Sequence, residues 1–250
     1  NSLSREDTSM KKIAVLTALL FAALQIGYAQ KVGLVLSGGG AKGAAHIGVI
    51  KALEENGIPI DYITGTSAGA IVGSLYAMGY TPEEMVELML SEEFSYWQTG
   101  TVENEYKYYF KRPDPTPEFG HFSIDMTDSL QVKASFLPQS LINPIQMNQA
   151  FMALFSQATA KAGWNFDNLF VPFRCVASDI YSKKAIIFKN GDLGDAVRAS
   201  MTFPFFFQPI WKDSVPIFDG GIYDNFPVGP MKEAFHPDFI FGSTVAGGNN

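Results

Sequence analysis

The feature that most constrains this chain is a repeated unit: a short apolar run, a cluster of small residues, then a helical pattern. Residues 31–37 (KVGLVLS) lead into Gly38, Gly39 and Gly40. Residues 44–56 then space Ala45, Val49, Ala52 and Leu53 as a helix does, and Gly57 supplies a stop. The unit recurs. Residues 58–64 read as a strand, 65–69 (GTSAG) as a tight turn, and 70–78 as a helix ending at Gly79. Apolar runs alternating with helices predict an α/β fold with a mainly parallel central sheet. Thr81-Pro82-Glu83-Glu84 predicts a further helix start, with Thr81 as N-cap, Pro82 at the first helical position and Glu84 closing a capping box.

The rhythm breaks between residues 91 and 146, where aromatics and prolines concentrate (Tyr96, Trp97, Tyr106, Pro113 and Pro115 among them). This stretch reads as an inserted surface subdomain or lid, or else as a packed loop region. Residues 146–162 return to a helix with Met147, Phe151, Leu154 and Phe155 on one face. Residues 171–177 and 185–188 read as strands, Ile217-Phe218 leads a strand into Asp219-Gly220-Gly221, and residues 239–245 read as a final core strand.

With 250 residues, 47% hydrophobic and 17% charged, the chain suits one large globular domain. A net charge of −7 and the lack of a basic stripe argue against nucleic acid as a partner, and against electrostatic docking on an anionic membrane. Contact with lipid would have to be apolar. From Met10 the sequence runs MKKIAVLTALLFAALQIGYAQ: two lysines, an apolar run, then small residues at the −3 and −1 positions before Gln30. That pattern predicts a secretory signal peptide cleaved after Ala29. The expected division is an N-terminal extension with signal peptide over 1–29 and the folded domain over 30–250. Export to the periplasm, the outer membrane or the medium would follow. The sole cysteine, Cys175, sits in an apolar run and reads as a small buried hydrophobe.

Three groups carry candidate chemistry. GTSAG matches G-x-S-x-G between a strand and a helix, which would lift the Ser67 hydroxyl clear at a helix N-terminus as a nucleophile; the alternative is a structural turn. The glycine loop GGGAKG (38–43) can offer backbone amides to an oxyanion. Its Gly38, Gly40 and Gly43 also fit a dinucleotide fingerprint, the basis of a rival oxidoreductase reading. That reading wants an acid at the end of the second strand, which here begins with Asp61 and ends in GTSAG. Asp219 ends a strand where α/β sheets place their sites, although Asp-Gly also makes ordinary turns. Of the three histidines, His46 reads as a packing residue, His121 lies in the insertion, and His236 follows Asp219 in the order of a Ser–Asp–His triad. No Cys/His cluster suggests a metal, and no cofactor is expected.

Four blocks in order, SGGGAKGAAHIGV (37–49), GTSAG (65–69), RASMTFPFFFQPI (198–210) and DGGIYDNFP (219–227), resemble the patatin-like phospholipase family, as does FDNLFVPFRCVASD (166–179). The resemblance covers roughly residues 31–245. It implies a three-layer α/β/α fold and a catalytic dyad of Ser67 and Asp219. It also implies an oxyanion hole at Gly38, Gly39, Gly40 and Ala41, and a phospholipase A or lysophospholipase type of lipid acyl hydrolase working through an acyl-enzyme. The partner would be membrane phospholipid or another lipid ester. Some exported bacterial members carry a C-terminal outer-membrane β-barrel, so such a domain beyond residue 250 is a further expectation. A non-catalytic lipid-binding module of the same fold is the third reading.

Overall fold

The computed structural model of the chain describes residues 30–101, 121–125, 131–135 and 141–247. The expected signal segment and part of the 91–146 insertion lie outside the described residues. Strand β1 (Val32–Leu36) enters a 3-10 turn at Gly40–Ala44 and then helix α1 (Ala45–Glu55); β2 (Tyr62–Thr66) passes through Ser67 into α2 (Ala68–Ala77). Helix α3 (Pro82–Leu90) starts at the expected capping box. The Glu84 N–H donates to Thr81 Oγ1 at 3.2 Å, and the Thr81 N–H donates to Glu84 Oε2 at 2.8 Å. In the insertion, α4 (Glu92–Thr99) and an antiparallel pair, β3 (His121–Asp125) with β4 (Gln131–Ser135), are described. Helix α5 (Ile145–Lys161) buries Met147, Phe151 and Phe155, as its periodicity predicts. There follow β5 (Phe173–Asp179), β6 (Lys184–Phe188), α6 (Leu193–Ser200), β7 (Ile210–Lys212), β8 (Val215–Asp219), α7 (Val228–Phe235) and β9 (Phe239–Ser243).

Strand alternation shows how the layers stack. A side chain at Gly33 would meet Met231 of α7, whereas Leu36, three residues on and so on the opposite face, reaches Gly73 of α2. Helices therefore cover both faces of the sheet, giving three layers. β9, β1, β2 and β5 run parallel, with β6 and β8 antiparallel to β5 and β7 antiparallel to β8. The sequence predicts a core strand at 239–245; among the described residues β9 (Phe239–Ser243) stands last in the sheet order, with Phe239 and Phe241 exposed. An apolar run alone does not distinguish an interior strand from an edge strand, because the difference is set by which neighbours pair with it.

One register decides where the site forms. β2 pairs with the first part of β5, ending at Thr66 opposite Val176, and β8 pairs with the second part, ending at Asp219 opposite Ala177. β6 pairs along Cys175–Asp179, overlapping both partners, so β2 and β8 share the other edge of β5. They point toward each other along that edge, and their C-terminal ends meet at adjacent residues of β5.

Candidate active site

Between β2 and α2 the chain reverses within one residue. Ser67 adopts φ 54°, ψ −120°, a conformation costly for a residue with a Cβ. Close packing forces the turn to be this tight. A Cβ at Gly65 would collide with the carbonyl of Gly69, and one at Gly69 with the carbonyl of Leu36. The strained residue is held by its own backbone. Its N–H donates to Ser200 Oγ at 2.9 Å, and its carbonyl accepts the N–H groups of Ala70 (2.9 Å) and Ile71 (3.1 Å). The Ser200 hydroxyl gives its proton to the Val176 carbonyl at 2.6 Å, which leaves its lone pairs facing Ser67.

Asp219 meets Ser67 across the gap between the two strand ends. Ser67 Oγ donates to Asp219 Oδ2 at 2.6 Å, while the other carboxyl oxygen accepts the Gly221 N–H at 2.7 Å. The Asp219 N–H donates to the Thr202 carbonyl at 2.8 Å, so segment 200–202 grips both partners. Asp219 is buried. Burial pushes its carboxyl above the ordinary 3.8, opposed by the hydrogen bonds from Ser67 and Gly221.

The glycine loop lies against this pair. Gly40 has φ 59°, with open space where a Cβ would be, so the conformation itself calls for glycine there. The N–H groups of Gly39, Gly40 and Ala41 stand at the N-terminus of the 3-10 turn, ahead of its first internal bond, where helical amides lack intrahelical acceptors. Of the four residues expected at the oxyanion hole, Gly38 has its N–H directed to the Asn225 carbonyl at 3.1 Å. What Gly38 contributes is room: a Cβ there would collide with Asn225 Oδ1 and lie 3.1 Å from Ser67 Cβ. Ser67, Asp219 and residues 38–41 all line one cavity of about 980 Å³. Its other walls are largely apolar, from Met89, Phe94 and Trp97 on one side to Phe151, Phe203 and Phe207 on another.

The patatin-like phospholipase family profile matches residues 34–232, most of the chain. The chain belongs to the patatin-like phospholipase family. It is 31% identical to the lysophospholipase NTE1 of Pyricularia oryzae over 217 residues, 86% of this chain but 12% of that protein. A patatin-like phospholipase domain-containing protein of Caenorhabditis elegans is 29% identical over 80% of this chain, again 12% of its own length. This chain thus spans about an eighth of these relatives. Among solved structures, VipD from Legionella pneumophila has the same fold, with a TM-score of 0.53 and 17% identity over 85% of this chain and 49% of VipD.

In this patatin-like domain His46 and His236 stand apart from the Ser–Asp contact. His46 is fully buried, with Nδ1 2.7 Å from Ser243 Oγ and Nε2 2.9 Å from the Ser37 carbonyl. A carbonyl only accepts, so Nε2 carries the proton and Nδ1 accepts from Ser243. Burial holds His46 below the usual imidazole value, and it ties α1 to the ends of β1 and β9, the packing role its sequence predicts. His236 is an exposed left-handed cap on α7 and does not line the cavity. Of His121 only its place on β3 is described. Cys175 is fully buried, which pushes its thiol far up, as expected of a packed hydrophobe. Asp61 accepts from Lys31 Nζ (2.7 Å) and the Val32 N–H (2.8 Å) at the opposite end of β1 from the glycine loop, which removes it as a ribose ligand.

Residue-by-residue reading of the sequence missed Ser200, Thr202, Arg198 and Asn225. Arg198 is buried, and burial lowers its guanidinium to about 10. It donates to Asn148 Oδ1 of α5 (3.1 Å), Thr202 Oγ1 (2.7 Å) and the Gln208 carbonyl (3.2 Å), tying the cavity wall to the segment that grips Ser67 and Asp219. The available signal was a set of polar residues, Arg198, Ser200 and Thr202, leading into an apolar, aromatic stretch. Among the described residues no group of three or more His, Cys, Asp or Glu side chains could hold a metal ion.

Proposed function

We propose that this chain is a lipid acyl hydrolase of the phospholipase A or lysophospholipase type, with Ser67 as nucleophile and Asp219 as its base. The observation that carries this reading is the 2.6 Å hydrogen bond from Ser67 Oγ to Asp219 Oδ2 in the apolar cavity, beside amides with no intrahelical acceptor. Asp219 takes the hydroxyl proton as Ser67 Oγ attacks the ester carbonyl carbon. The carbonyl oxygen becomes an oxyanion facing the N–H groups of Gly39, Gly40 and Ala41. Collapse expels the alcohol, which takes the proton from Asp219, and leaves an acyl group on Ser67. Water then attacks with Asp219 again as base, releasing the fatty acid. An ordinary aspartate is a weak base for a serine hydroxyl. Burial raises the proton affinity of this one, and the dry wall of the cavity strengthens the amide dipoles acting on the oxyanion. The apolar walls suit an acyl chain.

A fluorophosphonate probe tests the nucleophile. Mass spectrometry of the labelled protein should find the adduct on Ser67, and fatty acid should appear on incubation with lysophosphatidylcholine. Binding of lipid without labelling or turnover would instead favour a non-catalytic lipid-binding module. Export is a second proposal, supported by the pattern from Met10 to Ala29. N-terminal sequencing of the mature protein should begin at Gln30, and an uncleaved cytoplasmic product would refute it.

A further inference from the structure

Four residues that line the cavity, Leu90, Phe203, Phe206 and Ile222, are also exposed at its rim, at 81%, 56%, 45% and 43%. The turn carrying two of them is fixed. The Leu141 N–H donates to the Phe205 carbonyl at 2.9 Å, the Ile142 N–H to the Phe206 carbonyl at 3.0 Å, and the Phe203 and Phe206 rings meet edge-on with centroids 5.6 Å apart. At its tip Phe205 combines two costs. The residue is 65% exposed, and its backbone sits at φ 69°, where Asn, Asp or Gly would be at ease. Trp164 combines the same two features, so the place of Phe205 is what sets it apart: it sits between Phe203 and Phe206, which line the cavity and are themselves exposed.

We infer that this rim docks on a zwitterionic phospholipid surface, seating the cavity mouth against the lipid that it draws from. The inference rests on the lipid acyl hydrolase reading. The occupant follows from continuity, since the same side chains form the rim and the cavity wall, so an acyl chain leaving a bilayer there meets apolar surface throughout. It follows also from charge. Asp219 is the only charged residue lining the cavity among the described residues, and the chain as a whole carries −7, which disfavours an anionic surface.

The test uses sedimentation with phosphatidylcholine vesicles and, separately, hydrolysis of a soluble short-chain ester. Phe205 does not line the cavity. Phe205→Asn removes the ring while suiting the backbone, so it should keep or raise the melting temperature and leave ester hydrolysis unchanged. Vesicle partition should fall roughly tenfold, the size expected for one partly inserted aromatic. Trp164→Asn is the matched control. Trp164 is also exposed at positive φ (64°), but lies past Lys161 at the far end of α5, which is roughly 21 Å along the helix from Met147 at 1.5 Å per residue. It should leave partition intact. The inference is overturned if the unmodified chain hydrolyses the soluble ester but ignores vesicles, or if both variants lower partition alike. A preference for phosphatidylserine vesicles, or a dimer that Phe205→Asn dissociates, would overturn it as well. Loss of ester hydrolysis and Ser67 labelling in the unmodified chain would strike the hydrolase reading instead, and vesicle partition would still test the rim.

Discussion

The two glycine-rich turns of the site both contain crowded glycines, but they place their left-handed residue differently. In the elbow at 65–69 the glycines are squeezed: Gly65 and Gly69 have no room for a Cβ, and the strained backbone falls on Ser67, which has one. In the loop at 38–43 the strain falls on a glycine. Gly40 sits at φ 59° in open space, and the amides beside it lack internal acceptors. The elbow is tied by Ser200 and by the start of α2, whereas in the loop the Gly39, Gly40 and Ala41 amides stand ahead of the first internal bond of the 3-10 turn. Chemistry of the proposed kind needs both: a nucleophile fixed in one position, and hydrogen-bond donors kept free until an oxyanion appears.

Removing the chemistry from the elbow should have the largest effect. Ser67→Ala and Asp219→Asn should each lower kcat by about 10⁴-fold or more with the fold intact, and the double variant should be little worse than either single, since the two act as a unit. Additive losses, measured on a soluble ester, would break the dyad.

The two glycine demands should separate next. Gly69→Ala drives a methyl into the Leu36 carbonyl and should cost about 3 kcal/mol in chemical denaturation, at the upper end for overpacking. Gly40→Ala meets only a conformational cost of about 1–2 kcal/mol, and should lose activity out of proportion to that, with KM little changed. Equal stability losses in both would erase the contrast.

Ser200→Ala leaves the Ser67 N–H without its acceptor. It should cost about 1–3 kcal/mol and lower kcat more than it raises KM, because the elbow alone loosens. A pure KM effect would show that Ser200 does not position the nucleophile.

The smallest effects concern pH and the histidines. A base must be ionised, and burial raises the Asp219 pKa, so the acid limb of kcat/KM should lie above the ordinary carboxylate value of 3.8. His236→Ala should leave that profile unchanged; an inactive but folded His236→Ala protein would reinstate a triad. His46 acts on stability. Its folded pKa is depressed, so its contribution is whole above the unfolded value of 6.5 and is lost as pH falls through the folded one. Melting temperature should therefore decline below about pH 6.5, and His46→Gln should flatten that decline.

Much of this was legible in order of residues alone. Helical spacing and glycine stops marked α1 and α2, Thr81 and Glu84 marked the start of α3, and GTSAG and DGG marked the two strand ends that carry Ser67 and Asp219. Each of these depends on neighbours a few positions apart, which is the range over which backbone propensity, capping and turn chemistry act. Tertiary structure alone decided the rest. Ser67 and Asp219 are 152 residues apart, and they meet because β2 and β8 converge on one edge of β5, a register set by pairing between distant segments. The same non-local pairing set β9 last in the sheet order among the described residues, committed the Gly38 amide to Asn225, and brought Ser200 beneath the elbow. A hydrogen-bond partner supplied from another strand leaves no periodic trace in the sequence of either one, so the sequence determined which residues could react, and the packing of β5 determined which of them touch.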